Sequence, residues 1–461
     1  MNRIKVVILL LMVSILFAGC TGKDAVMNEE KPITVTIWHY YNGKQKKAFD
    51  ILLEKFNQTV GEEKGIIVTA ESKGEVVNLQ NCIMSAAEKK VGSERLPDIF
   101  ATYTDTAIRI HKMGLLADIS EYMTEEELKE YNPIFLDEGS FTKGSLQIFP
   151  VAKATELLYL NKTDWDRFAE DKGYDLSQLT AWEGIREAAE AYYEWSGGKT
   201  FFGRDASANF MLVGFHQLGK DIFQESGENV NVILEESILK KIWDNYGQPY
   251  IEGYYGAFGR FRSDDLKTGD IVAVVASTSS VGYYPKEVTL DNGNTYPIDV
   301  VVLPLPDFYG TKKSSVQQGA GMAVVKSSTQ KEKAAIEFLK WFTDVEQNIS
   351  FCIDTGYFPV KTDDGIKEQM KEIMKRMGTL EKSLVYENTM LGLEAILSTE
   401  LYSPMPFEEG SIKRSIITKY LTEELENYKK DYNEISSEDR ESFLEGCYEK
   451  WSVSLIKELE N

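Results

Sequence analysis

Two clusters of aromatic and short polar residues stand where predicted strands end, and they carry the side chains needed to recognise a small polar molecule. The first cluster follows a strand predicted at 33–38, and the second follows a strand predicted to open at 96–100. Aromatic faces stack on the C–H surfaces of a ligand, and hydroxyl or carboxyl groups hydrogen-bond to its polar atoms. The candidate ligand-binding residues are Tyr40, Tyr41, Tyr103, Thr104 and Asp105.

The segments around these clusters predict the sheet edge that would bring them together. Apolar Ile33, Val35 and Ile37 alternate with threonines, a pattern typical of a strand. Further strands are predicted at 65–68 and 96–100, with a helix before each of them. This order implies right-handed crossovers and a mainly parallel sheet, so the predicted fold class is α/β. Ligands bind beyond the carboxyl ends of such strands, where the two clusters stand.

The sequence argues against an enzyme. A glycoside hydrolase needs two positioned carboxylates, whereas Glu235-Glu236 and Asp264-Asp265 are sequence neighbours whose side chains point in different directions. The chain has 3 histidines and contains no G-x-S-x-G, HExxH or GxxxxGK[ST] motif. We therefore predict no catalytic residue, no metal site and no cofactor.

Length and charge limit the remaining classes of function. The 461 residues fit two or three domains, and a hydrophobic fraction of 43% supplies a large core. The formal net charge of -22 argues against nucleic-acid binding, which needs lysine and arginine concentrated on one face. It is also unfavourable for electrostatic docking on anionic lipid.

The N-terminus is interpreted as a lipoprotein signal peptide, residues 1–19, followed by a flexible tether, residues 20–32. Positive charge at Arg3 and Lys5 precedes an apolar run that is too short to span a bilayer. The sequence FAGC then predicts lipidation of Cys20, with the mature protein anchored at the outer face of the cell membrane. The alternative is an ordinary signal peptide that is cut elsewhere.

The three other cysteines suggest neither a zinc site nor a disulfide framework. They are far apart and lack CxxC spacing, so simple burial is the preferred interpretation, although one pair could form a disulfide in an oxidising compartment. They are Cys82, Cys352 and Cys447.

The block 319–360 predicts a strand, two helices and a tight return. Ala335, Phe338, Leu339 and Phe342 recur at the spacing of one helix face. Thr329 and Glu332 have the spacing of a capping box that would start this helix. Gly356 can end the second helix in a left-handed conformation, which presents Tyr357 at a chain reversal.

Five segments in order resemble the family 1 extracellular solute-binding proteins of ABC importers, which include maltose-, oligosaccharide- and glycerol-3-phosphate-binding members. Four are ITVTIWHYYNG, LPDIFATYTD, PVAKATELLYLNKTDW and KTGDIVAVVASTSSVGYY, and the block 319–360 is the fifth and most specific. The resemblance implies two α/β lobes that close around a solute by hinge bending and deliver it to a membrane permease. It also implies a monomer.

The resemblance further implies the limits of the two lobes. Lobe one would comprise 33–149 and 319–362, and lobe two would comprise 154–315 and 366–461. The chain would cross between the lobes near 150–153, 315–318 and 360–366.

Ligand-binding positions can be carried over from the glycerol-3-phosphate-binding members. They fall at Tyr103, Thr104, Ala154, Thr155, Ser277, Gly319 and Tyr357. We add Tyr40, Tyr41 and Asp105 because they stand where the first and third strands end.

Departures from those members favour an uncharged ligand. The relatives have glutamate at Thr104, although Asp105 is adjacent, and serine at Ala154. Their phosphate-pairing arginine lies in the C-terminal helices, where this chain offers Thr418 and, a turn earlier, Arg414. Because a phosphate normally takes a fixed arginine fork, a neutral mono- or oligosaccharide is the preferred ligand. Glycerol-3-phosphate, another phosphate ester, or a surface glycan bound without transport remain the alternatives.

Overall fold

The computed structural model describes residues 32–226, 229–361 and 365–461. The predicted signal peptide, Cys20 and nearly all of the tether lie outside these residues. No helix in the described ranges has both the length and the apolar character needed to cross a membrane.

The described chain forms two α/β lobes, each built around a four-stranded sheet, together with three two-stranded ladders. The strands, numbered along the chain, are β1 Ile33–His39, β2 Ile66–Ser72, β3 Ile99–Thr102, β4 Glu156–Asn161, β5 Phe202–Arg204, β6 Phe223–Ser226, β7 Asn229–Val232, β8 Ala273–Ser277, β9 Glu287–Thr289, β10 Thr295–Pro297, β11 Val300–Leu303, β12 Ser314–Val316, β13 Gly321–Val324 and β14 Glu400–Tyr402.

Helices cover both sheets and make up the C-terminal part of the chain. They are α1 Gly43–Gln58, α2 Val60–Lys64, α3 Val76–Ala87, α4 Thr104–Lys112, α5 Glu125–Lys129, α6 Pro133–Glu138, α7 Lys162–Lys172, α8 Trp182–Ser196, α9 Ala208–Gln217, α10 Glu236–Ile242, α11 Gln248–Ile251, α12 Arg262–Thr268, α13 Thr329–Phe342, α14 Val345–Thr355, α15 Ile366–Arg376, α16 Leu384–Ser398, α17 Gly410–Tyr420, α18 Glu423–Tyr432 and α19 Arg440–Glu460. Short 3-10 helices lie at Ile119–Tyr122, Leu176–Thr180 and Thr278–Tyr283, and a π-helix at Trp243–Gly247 joins α10 to α11.

The first sheet has the order β13-β3-β1-β2. Strand β1 pairs in parallel with β2 and β3, as the strand–helix alternation predicts, whereas β13 enters antiparallel beside β3. Parallel pairing places the ends of β1 and β3 at one edge. Buried Val35 and Ile37 fix the face of β1 that packs on the core.

The second sheet has the order β11-β4-β8-β5 and is mixed. Strand β4 is antiparallel to β8 and β11, and β5 is parallel to β8. All six residues of β4 are buried, because helices cover both faces of this central strand.

The helix stripe in the block 319–360 is confirmed, but its predicted cap is wrong by one residue. All four stripe residues, Ala335, Phe338, Leu339 and Phe342, are buried in the first lobe. The N-cap of α13 is Ser328, whose hydroxyl accepts a hydrogen bond from the Lys331 amide. Glu332 instead accepts a 2.5 Å hydrogen bond from the Ser327 amide, which directly precedes the N-cap, and another of 2.5 Å from the Tyr122 hydroxyl, which the tertiary fold brings to it.

Backbone hydrogen bonds join three separate parts of the chain between the two sheets. Ala154 and Gln318 exchange bonds of 2.9 and 2.8 Å, and Lys153 and Phe358 exchange bonds of 3.0 and 2.6 Å. We call these four residues the crossing ladder. Lys153 and Gln318 lie within the first two predicted crossings, and Phe358 lies two residues before the third. Helix α15 packs in the core of the first sheet through Ile366 and Met370, although lobe two was expected to resume at 366. The exact lobe limits stay a prediction.

Candidate functional site

A cavity of about 570 Å³ lies between the two sheets, with walls from both lobes. Its volume falls within the range usual for small-molecule sites, about 300–1,000 Å³. Of the ten residues predicted to bind a ligand, eight line it: Tyr40, Tyr103, Thr104, Asp105, Ala154, Ser277, Gly319 and Tyr357. Positions separated by up to 317 residues in sequence thus meet in one cavity, as the hydrogen bond between Tyr40 and Tyr357 shows.

The other two predicted residues, Tyr41 and Thr155, do not line the cavity. Tyr41 is 2% exposed and packs in the first core, with its ring centroid 5.3 Å from that of Phe49. Thr155 is completely buried. Neighbouring residues of extended chain point to opposite sides, so Tyr40 and Ala154 face the cavity while the residues after them turn away.

Strand ends and helix starts position the cavity residues. Tyr40 follows the last residue of β1, and Tyr103 is the N-cap of α4, which begins at Thr104. On the opposite wall, Ser277 ends β8 and its hydroxyl lies 3.0 Å from that of Ser279. The chemistry therefore stands at the sheet edges, as expected for an α/β fold.

Three tyrosines line one part of the cavity wall. The hydroxyls of Tyr40 and Tyr357 are 3.3 Å apart, and the Tyr357 ring stacks on Phe351 at 6.2 Å with an interplanar angle of 8°. Burial is the main cause that raises the pKa of Tyr40, Tyr103 and Tyr357. All three are neutral phenols at physiological pH, so each can donate and accept a hydrogen bond.

A buried network of charged and amide side chains supports the wall near the crossing ladder. Glu156 pairs with Arg204 and accepts hydrogen bonds from Asn209 at 2.7 Å and Gln318 at 3.3 Å. Because Glu156 is completely buried, these partners are needed to offset the cost of removing its charge from water. The network fixes Asn209 and Gln318, both of which line the cavity.

A second ion pair involves Lys153, a residue of the crossing ladder. Lys153 pairs with Glu138 and donates to the Gly319 carbonyl at 3.1 Å. Gln317 also donates to Glu138, at 2.6 Å, while its own side-chain oxygen is buried without a partner among the described residues. Gln317 is a cavity-lining residue, and its unpartnered oxygen is therefore a candidate acceptor for a ligand hydrogen bond.

Arg414 is a charged lining residue that sequence reasoning placed only approximately. It lies on α17, where Ser411, Arg414 and Ser415 share the i, i+3, i+4 face that borders the cavity. Its guanidinium donates to the side-chain oxygen of Asn209, and among the described residues no carboxylate lies within 4.0 Å. Burial lowers its pKa, which the charge of Glu156 opposes. The sequence offered Arg414 only as a residue one turn before the relatives' arginine position, and the structure places it at the cavity wall.

An apolar end of the cavity was not predicted. Phe223 and Phe407 have ring centroids 5.0 Å apart and both line the cavity, together with Met405. The sequence signal was weak, since only the prolines at 404 and 406 mark an extended segment there. The end adds apolar surface to the cavity that Ser411 and Ser415 also line.

The described residues do not indicate a metal centre or a disulfide. No group of three or more His, Cys, Asp or Glu side chains among them could hold a metal ion. Cys82, Cys352 and Cys447 are all free, and the last two are buried.

Sequence comparison identifies the family of this two-lobed chain. Residues 52–369 match the family model described as bacterial extracellular solute-binding protein. The chain belongs to that family. A curated relative of the solute-binding protein, the maltotriose-binding protein of Pyrococcus abyssi, is 23% identical over 332 residues, covering 71% of this chain and 66% of the relative. The match thus spans slightly less than two thirds of that relative's length.

Solved structures share the fold of this solute-binding protein. The cyclic alpha-maltosyl-1,6-maltose binding protein from Arthrobacter globiformis superposes with a TM-score of 0.66 at 17% identity, covering 91% of this chain and 99% of that one. UgpB from Mycobacterium tuberculosis in complex with glycerophosphocholine has a TM-score of 0.66 at 16% identity, covering 93% and 99%. At these identities the likeness supports the two-lobed fold alone.

Proposed function

We propose that this protein captures a sugar, a mono- or oligosaccharide, between its lobes and delivers it to the permease of an ABC importer. The observation that carries this proposal is the cavity wall itself. Phenol groups of Tyr40, Tyr103 and Tyr357 stand beside amide, hydroxyl and carboxyl groups, the combination suited to a polyhydroxylated ring. The binding roles of the lining residues, including Ser277 and Gly319, are part of the proposal.

The same proposal covers capture and location. A solute held by both walls would close the lobes about the crossing ladder and present the closed form to a membrane partner. Lipidation at Cys20 would keep the protein at the outer face of the cell membrane, where it acts as a monomer without catalysis. The family match supports an extracytoplasmic site of action.

A second candidate is an anionic solute such as a phosphate ester. It is favoured by Arg414, whose guanidinium borders the cavity without a carboxylate partner within 4.0 Å among the described residues. Charge-assisted hydrogen bonds from a fixed guanidinium are about twice as strong as neutral ones. Opposing this candidate, Asp105 also lines the cavity and would repel an anion, whereas the charge of Glu138 is paired with that of Lys153.

A thermal-shift screen across neutral sugars, polyols, sugar acids and phosphate esters tests these candidates. A ligand that binds only the folded protein raises the melting temperature, because it increases the free energy of unfolding. At a hundredfold excess over Kd this increase is about 2.7 kcal/mol. We expect a response to a neutral sugar, without product formation in a parallel chromatographic assay. A response confined to anionic compounds, abolished in Arg414→Gln, would establish the second candidate instead. Turnover of any sugar would establish a hydrolase.

Transport is tested separately from binding. Deleting the gene should abolish uptake of the radiolabelled sugar found in the screen, and a plasmid copy should restore it. Normal uptake together with lost adhesion to a glycan-coated surface would favour a surface glycan-binding lipoprotein.

A further inference from the structure

Two ion pairs connect the lobes at different margins of the cavity. Arg260, which precedes α12 of the second lobe, pairs with Glu75, which precedes α3 of the first lobe. Lys112, at the end of α4 in the first lobe, pairs with Glu408 of the second lobe at 2.5 Å. All four side chains are between 49% and 64% exposed, so neither pair is part of a core.

The pairs adjoin residues that line the cavity. Glu75 is followed directly by lining residues Val76 and Val77, and Glu408 directly follows lining residue Phe407. In addition, Lys44 of the first lobe donates to the Gly282 carbonyl of the second lobe at 3.3 Å. These contacts can exist only while the lobes are together, because each joins one lobe to the other.

An exposed ion pair contributes little to folding, typically about 0.2–1 kcal/mol. The same energy has more effect on two conformations that differ by only a few kcal/mol, as open and closed forms of a hinged protein do. Each pair can therefore change the ratio of closed to open molecules by up to about fivefold. Salt screens charges at such exposed positions, with a Debye length of about 10 Å at 0.1 M.

We propose that Glu75–Arg260 and Lys112–Glu408 act as paired latches that favour the closed form, so that the closed population falls as ionic strength rises. The latches touch no solute and act through lobe position. One consequence rests on the proposed function: the affinity for an uncharged sugar would also fall as salt is added. Salt would act there on the latches, because the sugar itself carries no charge to screen.

The test measures closure without any solute. Ile67 on β2 and Val453 on α19 are 43% and 66% exposed, and cysteines at these positions in a Cys82→Ser background can carry a donor and an acceptor dye. Single-molecule energy transfer then gives the ratio of closed to open molecules at low salt and at high salt, for which about 20 and about 500 mM NaCl bracket the screening range.

We expect that ratio to fall severalfold in high salt. At low salt, Arg260→Glu should lower it by at least as much, and Glu75→Arg combined with Arg260→Glu should restore it. Lys46→Glu is the matched control, since it makes the same change of charge in an exposed pair confined to α1. A ratio insensitive to Arg260→Glu, no recovery in the double variant, an equal effect of Lys46→Glu, or a molecule open under both conditions would overturn the proposal. A sugar screen without response would contradict the proposed function and leave this measurement intact.

Discussion

His39 shows how a residue beside the cavity can be structural. It ends β1, its ring is completely buried, and its Nδ1 accepts a hydrogen bond of 3.1 Å from the Tyr41 amide. Burial lowers the pKa of His39 to about 4, an effect that Asp50 opposes. The neutral ring fixes the backbone that carries Tyr40 into the cavity, so its effect on binding is indirect.

The pKa of His39 predicts acid sensitivity. Below about pH 6.5 His39 becomes protonated in the unfolded chain, whereas in the folded protein it stays neutral until about pH 4. Folding stability is therefore lost as pH falls from about 6.5 to about 4. This change in the pKa of His39 corresponds to a loss of about 3 kcal/mol in the free energy of unfolding over that pH range. Urea unfolding across this pH window should show a shallower loss in His39→Gln than in the native protein. Parallel pH profiles for the two proteins would contradict this account.

Tyr357 needs a conservative substitution, because its ring is part of the core. It is 5% exposed and stacked on Phe351, so truncation to alanine would destabilise the first lobe by about 3–5 kcal/mol as well as change the cavity. Tyr357→Phe removes only the hydroxyl next to Tyr40. We expect sugar affinity to fall by about 1 kcal/mol, roughly fivefold, in calorimetric titration. An unchanged affinity with an unchanged melting temperature would show that the hydroxyl does not contact the sugar.

At this scale the sequence could predict the neighbourhood of the cavity but not the direction of each side chain. Strand ends identified Tyr40 and Tyr103, yet Tyr41 and Thr155 point away because extended chain alternates. Arg414 could not be assigned since its role depends on Asn209, 205 residues away in sequence, which no local pattern connects to it.

Among the secondary-structure elements, the end of α14 meets the second lobe with no room for a side chain. Gly356 has a φ of 74°, as its predicted left-handed cap requires, and a Cβ there would lie 2.3 Å from the carbonyl oxygen of Thr278. This close approach holds the start of the 3-10 helix at Thr278–Tyr283, beside Ser277, against the first lobe.

Gly356→Ala should therefore lower the free energy of unfolding by more than backbone strain alone would. Gly378 is the matched control, with a φ of 77° and, among the described residues, no atom within 4 Å of the point where a Cβ would stand. Alanine at Gly378 should cost about 1–2 kcal/mol for the left-handed conformation. The substitution at Gly356 should add about 1–3 kcal/mol of overpacking, measured as a difference in urea midpoints. Equal losses at the two positions would mean that the lobes separate freely there.

Local patterns predicted helices and parallel strands better than they predicted pairing in the second sheet. The β1-β2-β3 unit follows from alternation and short connections, because the topology of parallel strands is limited. Strand β4 instead pairs antiparallel with β8 and β11, partners that lie much later in the sequence. The N-cap of α13 was also predicted one residue too late. The side chain of Glu332, which was expected to complete a capping box, accepts a hydrogen bond from the Tyr122 hydroxyl instead.

For the whole molecule, the order of five segments was enough to predict two α/β lobes, although no single segment was decisive. The C-terminal contribution to the cavity was not predicted in detail. Helix α17 reaches it only because it packs on α9 and α19 of the second lobe, which places Ser411 and Arg414 beside Asn209. Such placement depends on the complete tertiary fold rather than on a local signal.

The crossing ladder gives a prediction for the molecule in motion. A solute that contacts both walls binds the closed form, so opening about Lys153, Ala154, Gln318 and Phe358 becomes rarer when it is present. Hydrogen exchange at these four amides should slow on addition of the sugar found in the screen, because opening exposes them. Amides of β2, at the far edge of the first sheet, are the internal control and should change less. Equal protection of β2 and the ladder would indicate general stabilisation, and no protection at the ladder would place the hinge elsewhere.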